Sequence, residues 1–103
     1  MSRHPRVEDV AADAVLDRAF TWLCARRKDF PAACDVWSLR RRWTTERARL
    51  RADLVAGRYR FGLLSRVRLR TGEEVDVWAA RDALVLKSLA LVLAGHSVIW
   101  SDR

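Results

Sequence analysis

Eleven arginines crowd the stretch between Trp37 and Arg70 against only Glu46 and Asp53, a local balance of +9. Guanidinium groups pair bidentately with phosphate oxygens, so the chemistry on offer is recognition of a polyanion. The candidate contacts are Arg40, Arg41 and Arg42 in one run, Arg58 and Arg60 around Tyr59, and Arg66, Arg68 and Arg70 at alternate positions. Tyr59 and Phe61 interleave with these cations and offer faces on which bases stack, though rings alternating along a strand serve a core as well. The whole chain carries a formal net charge of +7 and a pI near 10.9, which again selects polyanionic partners. Binding of this kind releases counterions and is steeply salt-dependent.

Catalytic constellations are missing. The chain has no GxGxxG, no GxxxxGK, no HExxH and no GxSxG. Glu73, Glu74 and Asp76 cluster beside a turn, where acids ordinarily solvate the surface, and His96 follows a glycine as an ordinary surface histidine. Cys24, Cys34, His4 and His96 do not fall at zinc spacing, so the expectation is no metal, no cofactor and two reduced thiols. The N-terminus is polar, with no apolar leader. The most apolar run, 83–94, spans only about a dozen residues and contains Lys87, short of what a bilayer requires. A cytoplasmic chain without a membrane partner is expected.

These groups must be positioned by a single small domain, since 103 residues are too few for two. From Glu8 to Arg27 the apolar residues Val7, Ala11, Ala14, Val15, Ala19, Trp22 and Leu23 recur at helical steps, with Asp9, Asp13 and Asp17 on another face. Asp29-Phe30-Pro31 ends that helix. A second helix is expected over 35–56, with Val36, Leu39, Trp43, Leu50 and Leu54 as its stripe and Gly57 as a left-handed C-terminal stop. The period then falls to two. Arg58-Tyr59-Arg60-Phe61 and Arg66-Val67-Arg68-Leu69-Arg70 alternate as strands do, Thr71-Gly72-Glu73 makes a turn, and Val75 and Val77 share a face of the return strand. A last helix runs from Ala80 to Gly95, apolar on nearly every side and therefore in need of neighbours. The predicted fold is α+β: three helices and a two-stranded antiparallel hairpin in the order ααββα. Its divisions are an N-terminal helix and connector (1–34), a helix–hairpin–helix segment (35–95) and an irregular tail (96–103).

Residues 50–61, from Leu50 through Asp53, Leu54, Gly57 and Tyr59 to Phe61, resemble the helix-to-strand passage of bacterial retron and group II intron-type reverse transcriptases. The hairpin with its glycine turn follows in the same order, and Trp78-Ala79-Ala80-Arg81-Asp82-Ala83-Leu84-Val85 is similar to the helix that comes next in them. Asp35-Val36-Trp37-Ser38-Leu39-Arg40 is similar to an N-terminal extension of one branch. The resemblance covers about two-thirds of the chain. It implies part of the fingers of an RNA-directed DNA polymerase, with Arg66, Arg68 and Arg70 facing phosphates and Asp82 acting as a structural cap beside Arg81. The hairpin departs from the family: Arg68-Leu69-Arg70-Thr71-Gly72-Glu73-Glu74-Val75 lacks the usual lysine and Arg-Pro step that clamp a nucleotide.

Polymerisation needs paired aspartates holding two divalent ions, which in that family come from the palm and its Ala-Asp-Asp turn. The sequence instead closes on His96-Ser97-Val98-Ile99-Trp100-Ser101-Asp102-Arg103, which does not resemble the family's continuation. The expectation is an N-terminal fragment, ended by a premature stop or frameshift, that holds RNA or DNA backbone but does not polymerise alone. Magnesium would be needed only with a complete palm, and the remainder of a reverse transcriptase is a further expected partner. Two alternatives stand beside it: a free-standing basic nucleic-acid-binding module, and an interaction subunit docking through its C-terminal apolar helix.

Overall fold

The computed structural model describes residues 7–96, and side chains over 8–94. Among these residues the elements are α1 (Val7–Val10), α2 (Asp13–Arg26), α3 (Asp35–Arg41), α4 (Trp43–Val55), β1 (Ser65–Arg68), β2 (Glu74–Val77) and α5 (Ala80–His96). The α+β class and the antiparallel hairpin stand, but the three expected helices are five. The expected tail lies outside the described residues, apart from His96, which ends α5.

Both extra boundaries fall where local propensity favours helix, so packing sets them. The expected first helix breaks at Ala12, which adopts an extended conformation (φ −61°, ψ 139°). The break turns α1 toward α4 and α5 and buries Val10 and Ala11. It also resets the helical phase. Leu16, Ala19 and Leu23 form the buried face of α2, whereas Ala14 and Trp22, expected inside, are exposed. The expected second helix bends at Arg42 (φ −113°, ψ 24°), and the ladder restarts with the Glu46 amide donating to the Arg42 carbonyl at 2.8 Å. Val36 and Leu39 before the bend, and Leu50 and Leu54 after it, all reach one core with Leu84 and Val85 of α5.

Gly57 closes α4 as expected. At φ +72° it lets its own amide reach Leu54 and the Arg58 amide reach Asp53, the paired bonds of a Schellman motif. Gly72 (φ +91°) plays the corresponding part in the hairpin. The Gly72 amide bonds the Leu69 carbonyl and the Leu69 amide bonds Glu73, so a three-residue loop joins strands paired Arg66↔Asp76 and Arg68↔Glu74. The alternation at 58–61 does not make a strand. That segment runs without a partner strand and is held instead by side chains from α5.

Helix α5 lies chiefly along α2, with α1 and α3 beside it. Leu84, Val85 and Val92 are buried, while Leu89 and Leu93 stay 41 % and 38 % exposed, so the all-round apolar helix has one uncovered side. Ser88, fully buried, has a hydroxyl with no hydrogen-bond partner among the described residues. An orphaned buried hydroxyl costs about 1–3 kcal/mol, and alanine is the better helix former. Ser88→Ala is therefore expected to stabilise the domain by about 1 kcal/mol, raising Tm by roughly 4–8 °C in a thermal melt. A lower Tm would show that the hydroxyl is satisfied.

Candidate nucleic-acid interface

Much of the basic block is neutralised within the fold. Arg47 Nη1 bonds both carboxylate oxygens of Asp17 at 3.0 Å, and Arg51 lies 3.5 Å from Asp13, so the acidic face of α2 takes up two cations of α4. The Trp43 indole donates to the same Asp17 at 2.9 Å, and this bond, with the Arg47 guanidinium adding to it and burial opposing, holds the Asp17 carboxyl below the usual range. Arg58 pairs with Asp53 at 3.3 Å. On the hairpin Arg66 meets Asp76 at 3.1 Å and Arg68 meets Glu74 at 2.8 Å across the strands. Two of the three acids expected merely to solvate the turn, Glu74 and Asp76, are thus partners of arginines expected to face phosphate.

What remains is smaller and better defined. Among the described residues, Arg40, Arg41, Arg42, Arg60 and Arg70 have no carboxylate within ion-pair distance, and all five are exposed. Arg40 lies over the Trp37 ring at 5.9 Å. Arg58, Arg66 and Arg68 keep exposed, weak ion pairs that a phosphate can displace. Arg40–Arg42 occupy the corner between α3 and α4, Arg60 the strand-free segment and Arg70 the hairpin tip.

The rings divide in the same way. Trp43 stacks face to face on Phe20 at 4.2 Å, and Trp37 donates its indole N–H to the carbonyls of Phe30 and Pro31, so both are structural. Tyr59 is an anchor: its hydroxyl donates to the buried Asp82 carboxylate and its ring edge meets Phe61. Phe61, in edge contact with Trp78 at 6.0 Å, is half exposed and can receive a base.

The start of α5 is fixed by four connections that cross the chain. Asp35 accepts from the Ala80 amide at 2.8 Å and so caps the helix from α3. Asp82 accepts from Tyr59 and, at 2.8 Å, from the Gly62 amide. Arg27, itself buried, donates to the Trp78 carbonyl at 2.9 Å. Arg81 holds the buried Glu46 at 2.5 Å, and Arg49 approaches the same carboxylate at 3.9 Å. Glu46 occupies the one gap in the apolar stripe between Trp43 and Leu50, a signal in the sequence that its carboxylate has a partner.

These connections frame a cleft of about 380 Å³ lined by Asp35, Ser38, Arg42, Glu46, Arg49 and Arg81. Of the eight cations singled out in the sequence only Arg42 lines it; Arg49 and Arg81 were missed, because nothing local joins α4 to the start of α5. Cys24 and Cys34 are unpaired and half buried, and burial pushes both thiols up. Among the described residues no group of three or more His, Cys, Asp or Glu side chains could hold a metal ion, and no helix is long and apolar enough to cross a membrane. No family model, curated protein or solved structure matches the chain.

Proposed function

We propose that the chain binds the phosphate backbone of RNA or DNA in the cytoplasm as the fingers-side part of a reverse transcriptase, and does not polymerise by itself. The observation that carries the binding is that Arg40, Arg41, Arg42, Arg60 and Arg70 are exposed and have no carboxylate partner among the described residues, although thirteen acids are present in the chain. Half-exposed Phe61 beside Arg60 adds a stacking surface next to a phosphate contact. The fingers assignment draws on the ordered resemblance of residues 50–93 alone; the cap that the resemblance implies for Asp82 is supplied by Asp35, and Asp82 instead holds Tyr59 and Gly62.

Five phosphate contacts give a log–log salt slope of about −3 to −4 on single strands, so affinity should fall roughly a hundredfold between 50 and 200 mM salt. Fluorescence anisotropy with labelled RNA and DNA oligonucleotides measures this. A flat salt response, or no binding at the low-salt end, removes the proposal. Incorporation of nucleotides by the purified chain with primer-template and magnesium would overturn its inactive half.

The uncovered side of α5 and the exposed Phe61, Leu63 and Leu64, with Leu63 at 90 %, favour a second role: docking onto the remainder of such a polymerase.

A further inference from the structure

We infer that the cleft between the α3–α4 corner and the start of α5 is a discrete phosphate site, built by Arg42, Arg49 and Arg81 with the Ser38 hydroxyl. This deepens the polynucleotide proposal and rests on it only for the source of the phosphate. Three guanidiniums, from the α3–α4 bend, from α4 and from the start of α5, line one cleft of about 380 Å³. Convergence of that kind does not follow from a coating of solvated arginines, which point apart.

The two carboxylates in the cleft are already committed. Glu46 is buried and held by Arg81, with Arg49 on its other side, and Asp35 is engaged by the Ala80 amide. Glu46 therefore acts as a positioning residue: it aims Arg81 and draws in Arg49 while cancelling only part of their charge. Arg42 has no carboxylate partner among the described residues, and its departure from helical geometry (φ −113°, ψ 24°) sets it at the bend. Three cations against two carboxylates leave an excess positive charge, and guanidiniums supply the paired donors that phosphate oxygens accept. The cleft between Trp22 and Trp78 also carries cations, but there Arg27 is buried and bonded to the Trp78 carbonyl and Lys87 lies over the Trp22 ring, which leaves Arg26 as its uncommitted guanidinium.

A phosphate group can arrive as the terminal phosphate of an oligonucleotide or as an internal phosphodiester. The test uses the full chain and the variants Arg42→Ala, Arg49→Ala and their double. Arg42 lacks a carboxylate partner, and Arg49 is exposed at the far end of a 3.9 Å pair, so the fold survives these changes. Arg81 is left in place because it neutralises buried Glu46. Inorganic phosphate, titrated against amide resonances, is expected to move those of Ser38, Arg42 and Arg49, and each substitution to weaken it by about tenfold. Arg70→Ala, on the hairpin, should leave this response unchanged.

With oligonucleotides of one sequence, tighter binding of the 5′-phosphorylated form that disappears in the double variant assigns the site to chain ends. Equal binding of both forms, weakened alike in the double variant, assigns it to internal phosphates. Phosphate shifts that vanish in the double variant while no oligonucleotide binds keep the site and remove the polynucleotide proposal. Oligonucleotide binding and phosphate shifts both unaffected by the double variant overturn the site.

Discussion

Asp82→Ala is expected to destabilise the domain by about 2–4 kcal/mol, because it takes the acceptor from two donors at once. The carboxylate is buried at the first turn of α5 and accepts from the Tyr59 hydroxyl and the Gly62 amide. Neither donor has another partner within the fold among the described residues; the half-buried Tyr59 hydroxyl bears the larger cost, and the exposed Gly62 amide turns to water. For a domain of this size the loss corresponds to a Tm lower by roughly 10–20 °C.

The same substitution should release the segment from Arg58 to Leu64, which has no strand partner and is tied to the helices through this carboxylate. Amide exchange would then accelerate across 58–64 well before the core of α2 and α5 opens. Asp82→Asn keeps an oxygen acceptor and loses the charge, so it should fall between wild type and alanine. A thermal melt of Asp82→Ala within 2 °C of wild type would show that the carboxylate carries no such tie.

How much of this was legible depended on whether the partner lay nearby in sequence. Gly57 and Gly72 announced their turns because a left-handed residue is a local requirement, and both take positive φ. The cross-strand neutralisation of Arg66 and Arg68 needed the exact register: the loop is centred on Thr71, which pairs them with Asp76 and Glu74, whereas the expected turn centred on Gly72 sets Arg66 opposite Trp78 and Arg68 opposite Asp76. The breaks at Ala12 and Arg42 were not legible, since alanine and arginine are good helix formers and only packing of α1 and α3 against α5 demands the interruptions. The phosphate cleft was hidden for the same reason. Arg42, Arg49 and Arg81 are dispersed through the chain and meet only after α5 folds back on the α3–α4 corner. Glu46 gave half a signal: its place in the apolar stripe implied burial, and the identity of Arg81 as its partner did not follow.

Alkaline unfolding offers a test with a built-in reporter, because Tyr59 is the only tyrosine in the chain. Burial, and then its hydrogen bond to the Asp82 carboxylate, push the Tyr59 phenol far above its ordinary value near 10. The folded state therefore holds this proton more tightly than the unfolded chain does. Below about pH 10 both states keep it and the full stabilisation is present; above that, the unfolded state releases it first, and stability falls by about 1.4 kcal/mol for each further pH unit. The thiols of Cys24 and Cys34, also raised by burial, act in the same direction at slightly lower pH. Tyr59→Phe separates the two, since it keeps both thiols and removes the phenol. In wild type, phenolate absorbance should appear only together with the loss of helical circular dichroism, above the ordinary phenol value near 10. In Tyr59→Phe the fall in stability above pH 10 should be shallower by about one proton's worth. Phenolate absorbance rising with a midpoint near pH 10 while the helices stay intact would place the ring in water and dissolve the Tyr59–Asp82 tie on which the ordering of 58–64 depends.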